Sequence, residues 1–168
     1  HQIAAIATQL KEVLTPEFKL YSQQVKKNAR ALGARLTSHG YSMASGGTDN
    51  HLVLWDLKPK GITGSKYEKA CDAVNITLNK NCVPGDRSAV TPGGVRIGTP
   101  ALTTRMMVES DFEQIADFLH EVLLVSLKLQ EASGPKLKDF VVSLEGNAEL
   151  KDIRARVNAF ATTFPMPG

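Results

Sequence analysis

One arginine in an apolar segment is the side chain of this sequence best suited to bind an anion. Arg96 lies between Val95 and Ile97, with glycines at positions 93, 94 and 98. This pattern predicts a short strand over residues 95–97, where a buried and uncompensated charge costs several kcal/mol. No acidic residue lies within nine positions of Arg96. Its partner is therefore a distant side chain, solvent or a ligand anion.

The chemistry of Arg96 favours a carboxylate or phosphate ligand. A guanidinium presents a rigid fork of donors that matches a carboxylate in bidentate geometry, and the neighbouring glycines let backbone and ligand approach closely. The alternative is an arginine at a sheet edge, with its stem packed and its head in water.

Composition limits the remaining classes of function. The chain has 168 residues, 42% of them hydrophobic and 22% charged, which suits one domain with a real core. The net charge is only +3, and the two basic clusters, Lys26-Lys27 and Lys136/Lys138, lack interleaved aromatic residues. We therefore expect no nucleic-acid partner. No apolar run reaches the ~18 residues of a membrane span, so we expect no membrane partner.

Cysteine and histidine usage indicates a reducing compartment and no metal site. Cys71 and Cys82 stand in no C-x-x-C or Cys/His cluster, and the four histidines lack ligand spacing. We therefore expect free thiols and an intracellular location, cytoplasmic, mitochondrial or in another organelle; the sequence does not distinguish these.

The elements that must position Arg96 begin with a long helical segment. Apolar residues at helical spacing from residue 3 onwards predict either one helix bent at Pro16 or two in tandem, with Thr15-Pro16-Glu17 as a cap and Gly40 as the end. A continuous helix would be ~55 Å long at 1.5 Å per residue. Its N-terminal half therefore packs against something outside this chain.

The rest of the sequence predicts a small sheet covered by helices, an α+β fold. Residues 41–44 and 51–57 are expected to form a hairpin, residues 76–78 and 95–97 further strands, and residues 79–94 an exposed loop. Capping boxes at Ser65–Glu68 and Ser110–Glu113 predict helices to about residue 74 and residue 132. Three more helices are expected: a short one from Thr99-Pro100, and residues 137–144 and 148–161.

Four motifs in order make the sequence resemble serine hydroxymethyltransferase. They are GGTDNHLVL at 46–54, NITLNKN at 75–81, PGDRS at 84–88, in its eukaryotic form, and GVRIGTPALTTR at 94–105. The resemblance is to the C-terminal part only. It implies the C-terminal small domain of an aspartate-aminotransferase-like, fold type I enzyme at residues 40–168. Residues 1–39 would be the end of the large domain and a long connecting helix, with the N-terminal domain that binds pyridoxal phosphate absent from this chain.

The resemblance also implies a reaction and two site residues. Family members interconvert serine and tetrahydrofolate with glycine and 5,10-methylenetetrahydrofolate, with pyridoxal 5′-phosphate as cofactor and tetrahydrofolate as co-substrate. Arg96 matches the arginine that binds the carboxylate of serine or glycine, and Asn81 matches an asparagine that hydrogen-bonds the folate pteridine. No catalytic, cofactor-binding or metal-binding residue is implied within this chain, because the cofactor's lysine lies in a motif that is missing here. The parent enzyme is expected to self-associate as a dimer or tetramer.

Two other functions stay open on the sequence alone. As isolated, the chain could be a non-catalytic module for folding, dimerisation or partner binding. It could also belong to a related pyridoxal phosphate enzyme that does not use folate, although the motif at 75–81 argues against this.

Four other positions have simpler interpretations. The Asp49-Asn50-His51 triplet is explained by turn hydrogen bonding, Trp55 by packing, and Arg105 by a structural ion pair. Met106 stands where the family usually has glycine, so it is strained by ~1 kcal/mol or more if its φ is positive.

Overall fold

The N-terminal segment forms two helices in tandem. In the computed structural model of the protein, which describes residues 1–166, α1 spans Gln2–Glu12 and α2 spans Pro16–Ser38. The Thr15 hydroxyl accepts a hydrogen bond from the Phe18 N–H at 3.3 Å, and Pro16 occupies the first turn. Pro16 therefore begins the second helix and does not bend a single long one.

Four short strands form one antiparallel sheet. They are β1 (Ser42–Met43), β2 (Leu52–Asp56), β3 (Asn79–Asn81) and β4 (Gly94–Gly98), in the order β1-β2-β4-β3. The pairing of β1 with β2 confirms the predicted hairpin.

The prediction for the third strand was wrong. Residues 79–81 pair with β4, while residues 76–78, which were expected to form the strand, have no strand pairing. Leu78 is buried and Ile76 packs on the core, so their hydrophobicity reflects side-chain burial. Strand pairing requires only backbone N–H and C=O groups, and the polar residues 79–81 provide them. The expected loop at 79–94 therefore shrinks to residues 82–93.

Besides a short 3-10 helix at Lys58–Lys60, five more α-helices complete the described chain. They are α3 (Gly64–Ala73), α4 (Pro100–Thr104), α5 (Glu109–Ser133), α6 (Leu137–Leu144) and α7 (Ala148–Ala161). Their number and order agree with the sequence prediction, and α5 ends at Ser133, one residue beyond the predicted end, with Gly134 as its cap.

Both predicted capping boxes are displaced. Helix α3 is capped by Thr63, whose hydroxyl accepts from the Lys66 N–H at 3.3 Å. The Glu68 carboxylate instead accepts the Lys80 N–H at the start of β3. At α5 the Asp111 carboxylate accepts the Val108 N–H at 2.8 Å, so the helix begins before Ser110. Thr63 lies two positions before Ser65, and Asp111 lies one position after Ser110. In each case this residue satisfies the free amides of the first turn better than the predicted one.

The core lies on one face of the sheet. Val53, Trp55 and Val95 point to this face and are fully buried, together with apolar residues of α2, α3 and α5. The burial of Trp55 confirms the packing role expected for it. The opposite face, called the open face below, carries Arg96, which is exposed between two buried neighbours because side chains alternate along β4.

Helix α1 has no buried residue. Ile3 and Leu14 are each 85% exposed, and Ile6 and Leu10 are also exposed. The remainder of the described chain therefore does not cover the apolar stripe of α1, as the sequence predicted. No helix among the described residues has the length and apolar character needed to cross a membrane.

Candidate functional site

The open face of the sheet brings together the polar side chains of two neighbouring strands. Asn79 of β3 lies directly opposite Arg96 of β4, and Asn81 lies opposite Gly94. Because side chains alternate along a strand, Asn79, Asn81 and Arg96 point to the same face. Directly opposed residues have Cβ atoms about 4.5–5.5 Å apart, and diagonal neighbours about 7–8 Å. The sheet therefore holds both sequence-predicted site residues, Arg96 and Asn81, within reach of one ligand.

Arg96 has a free guanidinium. Its side chain is exposed, and within residues 1–166 it takes part in no side-chain hydrogen bond or salt bridge. Strand β4 lies between β2 and β3, so Arg96 is not at a sheet edge, but its head lies in water as the simpler alternative expected. A central position fixes the backbone more firmly than an edge does, and the fork of donors is free to bind an anion from solvent.

A shallow cleft opens beside Arg96. Its volume is about 360 Å³, which is large enough for a small amino acid. Polar side chains and glycine make up much of its wall. The lining residues are His51, Leu52, Thr77, Leu78, Asn79, Arg96 and Gly98.

Two of the glycines near Arg96 serve packing and not ligand approach. A Cβ on Gly94 would lie 2.4 Å from Val83 Cγ1 and 2.5 Å from the Trp55 carbonyl oxygen. A Cβ on Gly93 would lie 2.6 Å from Lys58 Cγ. These contacts correct the sequence interpretation for this pair. Only Gly98, where a Cβ would meet nothing closer than 3.7 Å, leaves space beside the cleft.

An aspartate closes the loop between β3 and β4. The Asp86 carboxylate accepts hydrogen bonds from the Gly93 N–H at 2.7 Å and the Val83 N–H at 2.9 Å. Lys58 lies 3.7 Å away. The hydrogen bond from the Gly93 N–H has the largest effect in lowering the pKa of Asp86, and the one from the Val83 N–H has the next largest. The charge of Lys58 lowers this pKa further. The loop therefore holds the start of β4 in place, and with it Arg96.

Asn81 is half-buried beside this loop. Its Nδ2 donates to the Cys82 carbonyl at 2.8 Å, which orients the carboxamide. An amide offers both a donor and an acceptor. Sequence reasoning missed Asn79, although its two-residue spacing from Asn81 was a visible signal that both share one face of a strand.

The other candidates have structural roles. Arg105 donates to the carbonyls of Ala161, Phe164 and Pro165, so it caps the end of α7 through carbonyl groups and not through the ion pair that was expected. The Asn50 carboxamide accepts the Leu52 N–H at 3.0 Å, which confirms turn hydrogen bonding at the start of β2.

Two imidazole rings, which no sequence pattern predicted to pair, stack between the end of α2 and α5. His39 and His120 stack with ring centroids 4.1 Å apart. His39 contacts Asp117 at 2.7 Å, and His120 contacts the Tyr41 hydroxyl at 2.5 Å. Burial, and then the neighbouring His39, lower the pKa of His120. These residues are about 80 positions apart, so only the fold brings them together.

The fold and the exposed arginine define an α+β domain with a candidate anion site, and comparison with known proteins identifies the family. Residues 1–119 match the family described as serine hydroxymethyltransferase. Serine hydroxymethyltransferase 4 of Arabidopsis thaliana is 54% identical over 168 residues, which are all of this chain and 36% of that protein. The cytosolic serine hydroxymethyltransferase of Oryctolagus cuniculus is 45% identical over 174 residues, again all of this chain and 36% of that protein.

A third relative gives the same result. Serine hydroxymethyltransferase of Caenorhabditis elegans is 46% identical over 172 residues, covering all of this chain and 34% of that protein. The chain belongs to the serine hydroxymethyltransferase family. It spans about a third of the length of these curated relatives.

Proposed function

We propose that this chain is the C-terminal region of an enzyme that interconverts serine and tetrahydrofolate with glycine and 5,10-methylenetetrahydrofolate. Its contribution is the arginine for the substrate carboxylate and one contact to the folate. In this proposal residues 1–39 are the end of the large domain and the connecting helix. Residues 40–168 are the small domain of a fold type I enzyme, and the enzyme self-associates.

The free guanidinium of Arg96 is the observation that carries the proposal. Arg96 lies on a central strand, on the open face of the sheet, beside a cleft large enough for serine or glycine. A bidentate pair with the α-carboxylate fixes two oxygens, and so the plane of that group. The bonds at the adjacent carbon are then held in one orientation, which is a positioning effect on rate.

We expect that the described residues do not by themselves form a site for pyridoxal phosphate. The buried lysine among them, Lys66, donates to Gln130 Oε1 at 3.0 Å and to the Gly134 carbonyl at 2.9 Å, so its ammonium is committed to structure. The cofactor, which serves such enzymes as an electron sink, is therefore expected to be held by residues outside this chain.

Asn81 is proposed to hydrogen-bond the pteridine of tetrahydrofolate. Asn81 lies diagonally across from Arg96 on the same face of the sheet. This position supports the proposal, because the two substrates must meet for one-carbon transfer. This contact favours the folate-dependent reaction over a related enzyme that does not use folate.

Steady-state kinetics of the full-length enzyme test the proposal. Loss of a charge-assisted contact that leaves its partner charge unpaired costs roughly 2–5 kcal/mol, or about 30- to 4,000-fold. We expect Arg96→Ala to lower kcat/KM for serine by this factor. Arg96→Lys should stay badly impaired, because an ammonium cannot form the fork.

A matched control and a contradicting result complete this test. Arg154→Lys changes an exposed arginine on α7 in the same way and should leave kinetics unchanged. Near-normal efficiency in Arg96→Lys would remove Arg96 from the site.

The exposed stripe of α1 favours a second candidate function for the isolated chain, namely a non-catalytic association module. Adding pyridoxal phosphate to the isolated chain tests whether the chain holds a cofactor site, which both candidate functions exclude. We expect no new absorbance band and no stoichiometric labelling of one lysine after reduction. Such labelling at micromolar cofactor would show that the chain holds a cofactor site of its own.

A further inference from the structure

Asn79 is placed beside Arg96 with no structural partner of its own. It is exposed, lies directly opposite Arg96 in the β3–β4 pair, and lines the same cleft. Within residues 1–166 the Asn79 side chain takes part in no hydrogen bond. Asn81, by contrast, donates to a backbone carbonyl. The carboxamide of Asn79 is therefore free to contact a ligand.

The residue type is unfavourable for the strand that contains it. Asparagine is depleted in strands because its side chain competes for backbone hydrogen bonds. Positions that break a local rule without a local gain are expected at functional sites. Here β3 has only three residues, and two of them are asparagines on the open face.

The chemistry of a carboxylate leaves room for this side chain. An ionised carboxylate offers about four lone-pair sites, and a bidentate guanidinium uses two of them. Directly opposed residues have Cβ atoms about 4.5–5.5 Å apart, so the carboxamide of Asn79 can bind one of the others. A carboxamide does so without adding charge, so the balance of one carboxylate to one guanidinium is preserved.

We propose that Asn79 is a second ligand for the substrate carboxylate, donating through Nδ2 beside the fork of Arg96. This inference rests on the proposed function, since it adds to the same substrate site. Asn79 and Arg96 together would favour α-amino acids with a free carboxylate over amides and esters.

The test is the dissociation constant of glycine for the full-length enzyme, measured by calorimetry. A hydrogen bond to a charged group corresponds to roughly 10- to 100-fold in binding, so Asn79→Ala should weaken glycine binding by about that factor. Asn79→Asp should weaken it further, because the new carboxylate pairs with Arg96 and repels the ligand. The KM for tetrahydrofolate should not change in Asn79→Ala.

Controls separate this inference from folding defects and from the proposed function. Ser42→Ala alters an exposed side chain on the same face at the opposite edge of the sheet, and it should bind glycine normally. Thermal midpoints of all variants should match, because Asn79 is exposed.

Three results would overturn the proposal for Asn79. Glycine binding could be normal in Asn79→Ala while Arg96→Lys is impaired, which leaves the proposed function intact. Asn79→Asp could bind glycine normally. The folate KM could rise in place of the glycine dissociation constant. If Arg96→Lys also bound glycine normally, the proposed function would itself fail.

Discussion

Met106 adopts a left-handed backbone conformation at the end of α4. Its φ is +69°. The Met107 N–H bonds to the Leu102 carbonyl and the Met106 N–H to the Thr103 carbonyl, at 3.2 and 2.9 Å. This is the Schellman pattern, in which the residue at the Met106 position is usually glycine because a Cβ is unfavourable there.

The end of α2 provides an internal comparison. The Tyr41 N–H bonds to the Leu36 carbonyl and the Gly40 N–H to the Thr37 carbonyl, so Gly40, with a φ of +80°, occupies the same position as Met106. The chain therefore uses glycine at one such helix end and methionine at the other.

We expect Met106→Gly to stabilise the protein. The left-handed conformation costs an L-residue about 1–2 kcal/mol, and the greater freedom of glycine in the unfolded chain costs about 0.4–1 kcal/mol. Met106 is 74% exposed, so little apolar burial is lost with its side chain. The net gain is about 0.5–1 kcal/mol, or a rise in Tm of roughly 1–3 °C for a chain of this size.

Urea unfolding of the chain followed by ellipticity measures this change. Met106→Ala is the matched control, because it removes the side chain but retains the Cβ and its cost, and we expect it to change the free energy of unfolding very little. Gly40→Ala should destabilise the chain by about 1 kcal/mol; no atom lies within 4 Å of the added Cβ, so only the backbone is perturbed. A Met106→Gly variant that is no more stable than Met106→Ala would show that the left-handed backbone at residue 106 does not destabilise the protein.

Three further predictions concern other parts of the fold. Because the pKa of His120 is lowered in the folded state, the unfolded chain binds a proton more readily, so stability should fall as pH drops below about 6.5; His120→Gln should flatten that slope in urea titrations. Replacing Ile6 and Leu10 with glutamate should shift the chain towards the monomer in ultracentrifugation at little cost in stability, because two-fold pairing of the exposed stripe is then blocked. Asp86→Ala should speed hydrogen exchange of the Val83 and Gly93 amides, which lose their acceptor.

Each of these predictions has a contradicting outcome. An unchanged pH slope in His120→Gln would show that other groups cause the pH dependence of stability. Asp117 does not account for it, because a carboxylate with a lowered pKa affects stability only at more acidic pH. A monomeric unmutated chain at ~100 μM, or unfolding of the double glutamate variant, would show that the α1 stripe is not an interface. Unchanged exchange in Asp86→Ala would mean that the loop is held by other contacts.

The helices were more predictable from the sequence than the sheet and the site. Helix signals are local, so the bounds of α6 and α7 followed from apolar spacing over a few turns. Strand β3 was missed because its pairing partner lies 17 positions away and its own residues are polar. Arg96 could be selected because a charge between two apolar residues is unusual, but its opposition to Asn79 depends on a register that no local pattern encodes.

We propose that Arg96 binds the carboxylate of the substrate. This can be tested by comparing the affinities of the full-length enzyme for glycine and for glycinamide, which lacks the negative charge, in the unmutated protein and in Arg96→Lys. We predict that Arg96→Lys binds glycine at least 30-fold more weakly, from the lower bound of about 2 kcal/mol for such a contact, and binds glycinamide with little change. Equal losses for both ligands, or no loss for glycine, would contradict the claim.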